Sequence, residues 1–201
     1  MSDFRLEPIE QGRATRREPP TRSMLPPMKG SVTFGGGNDR YRYELRRWWG
    51  PGPLVVFIGL NPSTADDTKD DPTLRRCCGF ARRWGFDGVI MVNLYALRAT
   101  DPALLREHFD PMGKHNDAHL RIAAAAAKCL VACWGAHGGP DGARLLEPGS
   151  TPVVDVLVDR DLQCLGKNKD GSPRHPLYLR ADTPVELFIG RGPDGRRTPC
   201  G

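Results

Sequence analysis

Four short apolar runs set the limits on what this chain can fold into. Residues 54–60 (LVVFIGL), 88–95 (GVIMVNLY), 129–134 (CLVACW) and 162–165 (LQCL) are of strand length and almost free of charge. A strand wet on one face alternates apolar and polar residues, whereas an unbroken apolar run suits a strand covered on both faces, as in a parallel sheet. Helical segments lie between the runs. Asp71-Pro72 opens PTLRRCCGFARRWG, where Leu74, Cys77, Cys78, Ala81 and Trp84 share a face. Proline is tolerated in the first turn, and Gly85 provides a stop. Asn116 or Asp117 can cap a second helix through LRIAAAAAK, and residues 152–158 (PVVDVLV) fit either a strand or a helix end. Strands alternating with helices imply an α/β fold, expected here as a three-layer α/β/α sandwich with a mostly parallel central sheet.

The flanks are of another kind. Residues 1–30 are rich in Arg, Pro and Glu with little apolar periodicity, and are expected to be a disordered leader. Residues 35–38 (GGGN) form a turn before residues 40–48 (RYRYELRRW), an expected outer strand or hairpin. Residues 185–189 are a last strand candidate and 190–201 a flexible tail, leaving 31–189 as a single domain. The formal charge of +5 is concentrated outside that domain: 1–30 and 190–201 each carry +2, so the remainder holds only +1. Global charge therefore says little about partners, and any nucleic-acid contact has to rest on local clusters. No run approaches the roughly 18 apolar residues of a membrane span, and no charged start followed by an apolar stretch suggests a secretory signal. The six cysteines form no C-x-x-C pair and are expected as buried free thiols in a reducing cytoplasm. Neither a metal nor a cofactor is expected.

Ligands of open α/β sheets gather at the carboxyl ends of the strands, and the polar residues of interest fall there. Residues 59–66 (GLNPSTAD) follow the first run, Asn93 and Tyr95 close the second, Trp134 and His137 follow the third, and residues 166–178 (GKNKDGSPRHPLY) follow the fourth. Asp66, Asp67, Asp70 and Asp71 add carboxylates able to serve as a base or to hold a metal.

Three long motifs in fixed order, GLNPSTADDTKDDPTLRRC, VNLYALRATDP and LGKNKDGSPRHPLYL, resemble a bacterial and phage family known only as a domain of unknown function. Behind it lies a more distant similarity to the uracil-DNA glycosylase superfamily: Gly59-Leu60-Asn61-Pro62 after the first strand, Asn93 at the end of the second, and His175-Pro176 in a late loop. That resemblance implies a uracil-DNA-glycosylase-like fold and hydrolysis of an N-glycosidic bond of a nucleobase, modified or not. By it, Asn61 positions the attacking water, Asn93 reads the polar edge of a flipped base, and His175 stabilises the departing base. Leu177 or Tyr178 takes the place of the duplex wedge. Gly59, Pro62 and Ser63 belong to the same motif, and Tyr95 and Trp134 are candidates to stack on the base.

The chemistry is coherent. Glycosidic cleavage builds negative charge on the base, and a fixed donor there is a large aid. The base must first leave its stack, and an asparagine amide can satisfy a Watson–Crick edge with two hydrogen bonds. Lys167, Lys169 and Arg174 flank His175 and are candidates for phosphate contacts. Asn61 cannot itself take a proton, and the late loop lacks the serine and second proline of the glycosylase signature. Two alternatives stand beside the enzyme: a binding module that recognises a base or nucleotide without cleaving it, and a metal-assisted hydrolase of a small nucleotide working through the aspartates.

Overall fold

The computed structural model describes residues 27–144 and 149–190. Seven strands form one mixed sheet: β1 (Lys29–Gly35), β2 (Tyr41–Trp48), β3 (Leu54–Gly59), β4 (Gly88–Asn93), β5 (Cys129–Ala132), β6 (Leu162–Cys164) and β7 (Glu186–Ile189). Their order is β1-β2-β4-β3-β5-β6-β7. The four apolar runs are the four central strands, and the pairings of β3 with β4, β3 with β5 and β5 with β6 are all parallel. Antiparallel strands extend the sheet on both sides. The expectation of a mostly parallel sheet is thereby corrected: only the centre is parallel. β1 escaped detection because KGSVTFG is small, polar and largely exposed, as an edge strand can be. It starts at Lys29, while residues 1–26 and 191–201 of the expected leader and tail lie outside the described residues.

Three helices join the parallel strands: α1 (Pro72–Arg83), α2 (Asn116–Ala126) and the single turn α3 (Val153–Val156). α1 begins where its sequence says it must. Asp71 caps it, Oδ1 accepting from the Leu74 N–H at 2.7 Å, and Pro72 occupies the first turn. α2 departs from expectation. His115 sits at its cap without a side-chain bond, and Asn116 instead donates Nδ2 to the Asn93 and Leu94 carbonyls at 3.0 and 2.9 Å. This buried amide ties the start of α2 to the end of β4.

Because successive strand residues point to opposite sides, the central strands feed two cores. Val55, Phe57, Val89 and Val131 pack with Leu74, Cys77 and Phe80 of α1. Val56, Ile58, Ile90 and Leu130 pack with Leu120 and Ala123 of α2 and Val153 of α3. Cys77, Cys78, Cys133 and Cys164 are buried free thiols. Cys129 corrects the expectation for the cysteines as a set, being disulfide-bonded.

Candidate functional site

The chain runs from β3 to β4 on one side, then returns to place β5 on the other side of β3. The loops after β3 and β5 therefore diverge, and a crevice opens at the carboxyl ends of the strands. Hydrogen bonds hold the surrounding loops in pairs. After β3 and β4, Leu94 N–H donates to Gly59 O at 3.0 Å, Tyr95 N–H to Leu60 O at 2.9 Å and Ala99 N–H to Pro62 O at 2.9 Å. After β5 and β6, Gly135 N–H donates to Pro173 O at 3.0 Å. Gly135 adopts φ +76, a conformation that favours glycine, and a β-carbon there would lie 3.8 Å from His175 Cβ.

The crevice encloses a cavity of about 510 Å³, with Asn61, Asn93 and His175 all on its wall. Gly59, Ser63, Trp134 and Tyr178 line it too, whereas Pro62 is buried beside it and Tyr95 packs in the core. Of the two stacking candidates, then, only Trp134 borders the cavity; its indole N–H is held by Gly139 O at 2.8 Å. Lys167, Lys169, Arg174 and Leu177 are absent from the wall. Lys167 turns to β7, its Nζ 3.3 Å from Phe188 O and over the Phe188 ring, and Arg174 Nε donates to Lys167 O at 3.1 Å. Lys169, Arg174, Leu177 and Tyr178 are exposed.

Asn61 and His175 are each held by hydrogen bonds, and Asn93 is confined by burial. Asn61 spends its Nδ2 on the carbonyls of Ala99 (2.7 Å) and Pro62 (3.0 Å), so the carbonyl oxygen is what it can offer a water or a ligand. Asn93 stands opposite Gly59 in the parallel register, and a β-carbon on residue 59 would come within 2.7 Å of Asn93 Oδ1. Glycine at that position makes the room the amide occupies. His175 accepts from the Leu177 N–H through Nδ1 at 3.3 Å, which leaves its proton on Nε2. Burial lowers the pKa of His175, opposed by the charge of Asp71, so the ring is neutral at pH 7 with one N–H to donate.

Reading the sequence missed Arg42 on the wall, and named Asp71 and Asn168 only among the residues of their loops. Arg42, on β2, is 4% exposed; Nη1 donates to Ala65 O at 2.6 Å while Nε has no partner. Burial pushes its guanidinium down to about 10, with Asp71 pulling the other way, and it stays charged near neutrality. Its signal was one charge among many in RYRYELRRW, where nothing separates an inward arginine from an outward one. Asp71 lines the cavity as well as capping α1, and Asn168 lines it from the late loop, its Nδ2 on Ser172 Oγ at 3.0 Å.

Two other aspartates of the loop after β3, Asp66 and Asp70, are occupied. Asp66 Oδ1 accepts from Thr68 and Lys69, and Asp70 pairs with the buried Arg47 at 2.8 Å. Among the described residues no group of three or more His, Cys, Asp or Glu is placed to hold a metal ion, and no helix is long and apolar enough to cross a membrane.

A mixed α/β sheet with a cavity of mixed polar and apolar lining at the carboxyl ends of its parallel strands is the class this fold and site define. Residues 42–177 match a family described as protein of unknown function (DUF1643), and the chain belongs to it. That span runs from Arg42 to just past His175, and so embraces every residue on the cavity wall except Tyr178. Comparison with curated proteins and with solved structures finds no match.

Proposed function

We propose that the protein is a uracil-DNA-glycosylase-like enzyme that takes a nucleobase into this cavity and hydrolyses its N-glycosidic bond. One observation carries the reading: Asn61, Asn93 and His175, from the ends of three different strands or the loops after them, line one cavity. Its volume of about 510 Å³ falls within the usual range of small-ligand sites. The three-layer α/β/α arrangement is supported by the two cores, one receiving α1 and the other α2 and α3.

In this reading Asn61 holds the attacking water through its carbonyl oxygen, and Asp71, the loop aspartate on the cavity wall, takes the proton that an amide cannot. Asn93 reads the base edge. His175 donates its Nε2–H to the base as negative charge develops there, a neutral donor preset by its bond to Leu177. Trp134 gives the base an aromatic wall, and the exposed Tyr178 at the rim suits the gap that a flipped base leaves in a duplex. Lys169 and Arg174 are the basic residues of the late loop with ends left for phosphates.

The test is to incubate the purified protein with duplexes carrying mispaired, deaminated or alkylated bases, then cleave with alkali. Strand breaks at one class of base, lost in His175→Ala, support the reading; intact strands throughout reject it. The binding-module alternative is favoured by Asn61, an amide where a carboxylate would activate water. The same duplexes distinguish it, because a module retains a ligand and leaves every strand whole.

A further inference from the structure

Two hydrogen-bond donors in this site have lost water without gaining a protein partner: Arg42 Nε and Asn93 Nδ2. Their side chains are 4% and 3% exposed, and both border the same cavity. A buried donor left unpaired costs roughly 1–3 kcal/mol, and most such groups in folded proteins are satisfied. Here two of them share one wall, which makes a missing partner in the cavity the simplest physical account. Both are donors, and one belongs to a cation. The matching ligand edge therefore carries acceptors, with negative character where it meets Arg42.

Resting on the nucleobase reading above, we infer that the cavity takes a base whose inserted edge bears two adjacent hydrogen-bond acceptors, which among the major-groove edges of the DNA bases is the O6/N7 edge of guanine. Adenine offers N7 but sets an amino donor beside it, cytosine presents an amino donor, and thymine presents O4 next to a methyl group. Against two fixed donors, an amino group on that edge would leave at least one donor unsatisfied. Arginine and asparagine also divide the work physically: the guanidinium supplies charge, and the amide supplies a second N–H from a strand end whose backbone carbonyl is held by Asn116. A hydrophobic floor completes the pocket, Leu45 and Met91 lining it from β2 and β4.

The test is calorimetric titration of the full chain with dGMP, dAMP, dCMP and dTMP, which share a sugar and phosphate and differ only in the base. dGMP is expected to bind about tenfold or more tighter than the others, the discrimination typical of a paired acceptor edge. With the unmodified protein, 7-deaza-dGMP, which replaces the N7 acceptor by C–H, should lose most of that advantage. Asn93→Asp replaces the amide donor by an acceptor, and should shift the preference from dGMP toward dAMP. Arg42→Lys keeps the charge but loses the fork, and should weaken dGMP selectively. If the four nucleotides bind alike, or 7-deaza-dGMP binds as well as dGMP, the two-acceptor inference is overturned while a nucleobase site stands. If none binds and no duplex base is released, the nucleobase reading itself fails, and this inference with it. The 7-deaza comparison needs no variant, so a destabilised Asn93→Asp leaves the outcome decided.

Discussion

Gly59→Ala puts the register of the parallel sheet and the recognition of ligand to one test. The new β-carbon would stand 2.7 Å from Asn93 Oδ1, where ordinary contact begins at 3.4 Å, so the amide must give way by about 0.7 Å. Asn93 has few ways to do so. Its backbone is paired opposite Gly59, its carbonyl accepts from Asn116, and its side chain is 3% exposed. What remains is rotation away from a staggered rotamer, at about 0.5–1.5 kcal/mol for ~30°, or a strained backbone, with the crowding costing about 1–3 kcal/mol in all. At roughly 2–4 °C per kcal/mol for a chain of this size, the melting temperature should fall by about 2–12 °C. Nucleotide affinity should fall further than stability alone explains, because the displaced group is the one that reads the base. Thermal unfolding followed by circular dichroism gives the first number and calorimetry with dGMP the second. A Gly59→Ala protein with unchanged melting and unchanged affinity would refute the argument, since it would mean that Asn93 does not depend on the space above Gly59.

Other outcomes follow from the same geometry. His175→Ala should reduce base release ~100-fold or more with little change in melting, because the ring is only partly buried and caps a three-residue 3-10 turn; excision kinetics and melting curves check both halves. The pKa of His175 is depressed in the fold, so the neutral ring contributes stability above the unfolded value of about 6.5 that is lost as the pH falls through the lower folded value. Urea midpoints between pH 5 and 8 should therefore drop more steeply toward acid for the unmodified protein than for His175→Gln. Asp71→Asn keeps a side chain that caps α1 well but removes the candidate base, so turnover should fall while helicity and melting hold; an unchanged pH–rate profile would remove Asp71 from the mechanism. Asn61→Asp adds a titratable group beside the water site and should raise the rate near neutral pH, which a comparison of initial rates will show.

How far the chain could be read varied with the kind of physics involved. The central strands were legible because burial on both faces leaves a nearly continuous apolar run, clearest in residues 54–60, 88–95 and 129–134, while the short 162–165 carries Gln163 in its middle. α1 was legible for the same local reason: Asp71, Pro72 and Gly85 are its cap, first turn and stop. β1 was not, since its alternation is confined to Val32 and Phe34 in an edge otherwise made of Lys, Gly, Ser and Thr, too short to stand out. Nor was the mixed character of the sheet, because the direction of β2 and β7 depends on which neighbour they pair with, and residue pattern does not encode that.

The candidate site divides along the same line. Asn61, Asn93 and His175 stood out because each lies next to the end of an apolar run or in a loop where core packing does not explain it. That the three share one cavity depends on strand order and on loop-to-loop bonds such as Asn61 to Ala99 and Gly135 to Pro173, which join residues 38 positions apart in each case. Lys167 shows the converse: a lysine beside the key histidine in sequence turns instead to Phe188 on β7, because its neighbour in the sheet lies there. Arg42 and Asp71 were present as ordinary charges, one in a charged strand and one in an acidic loop. Only the packed sheet decided that both face the cavity, because what makes a charge functional is what surrounds it once water has been removed, and that is a property of three dimensions.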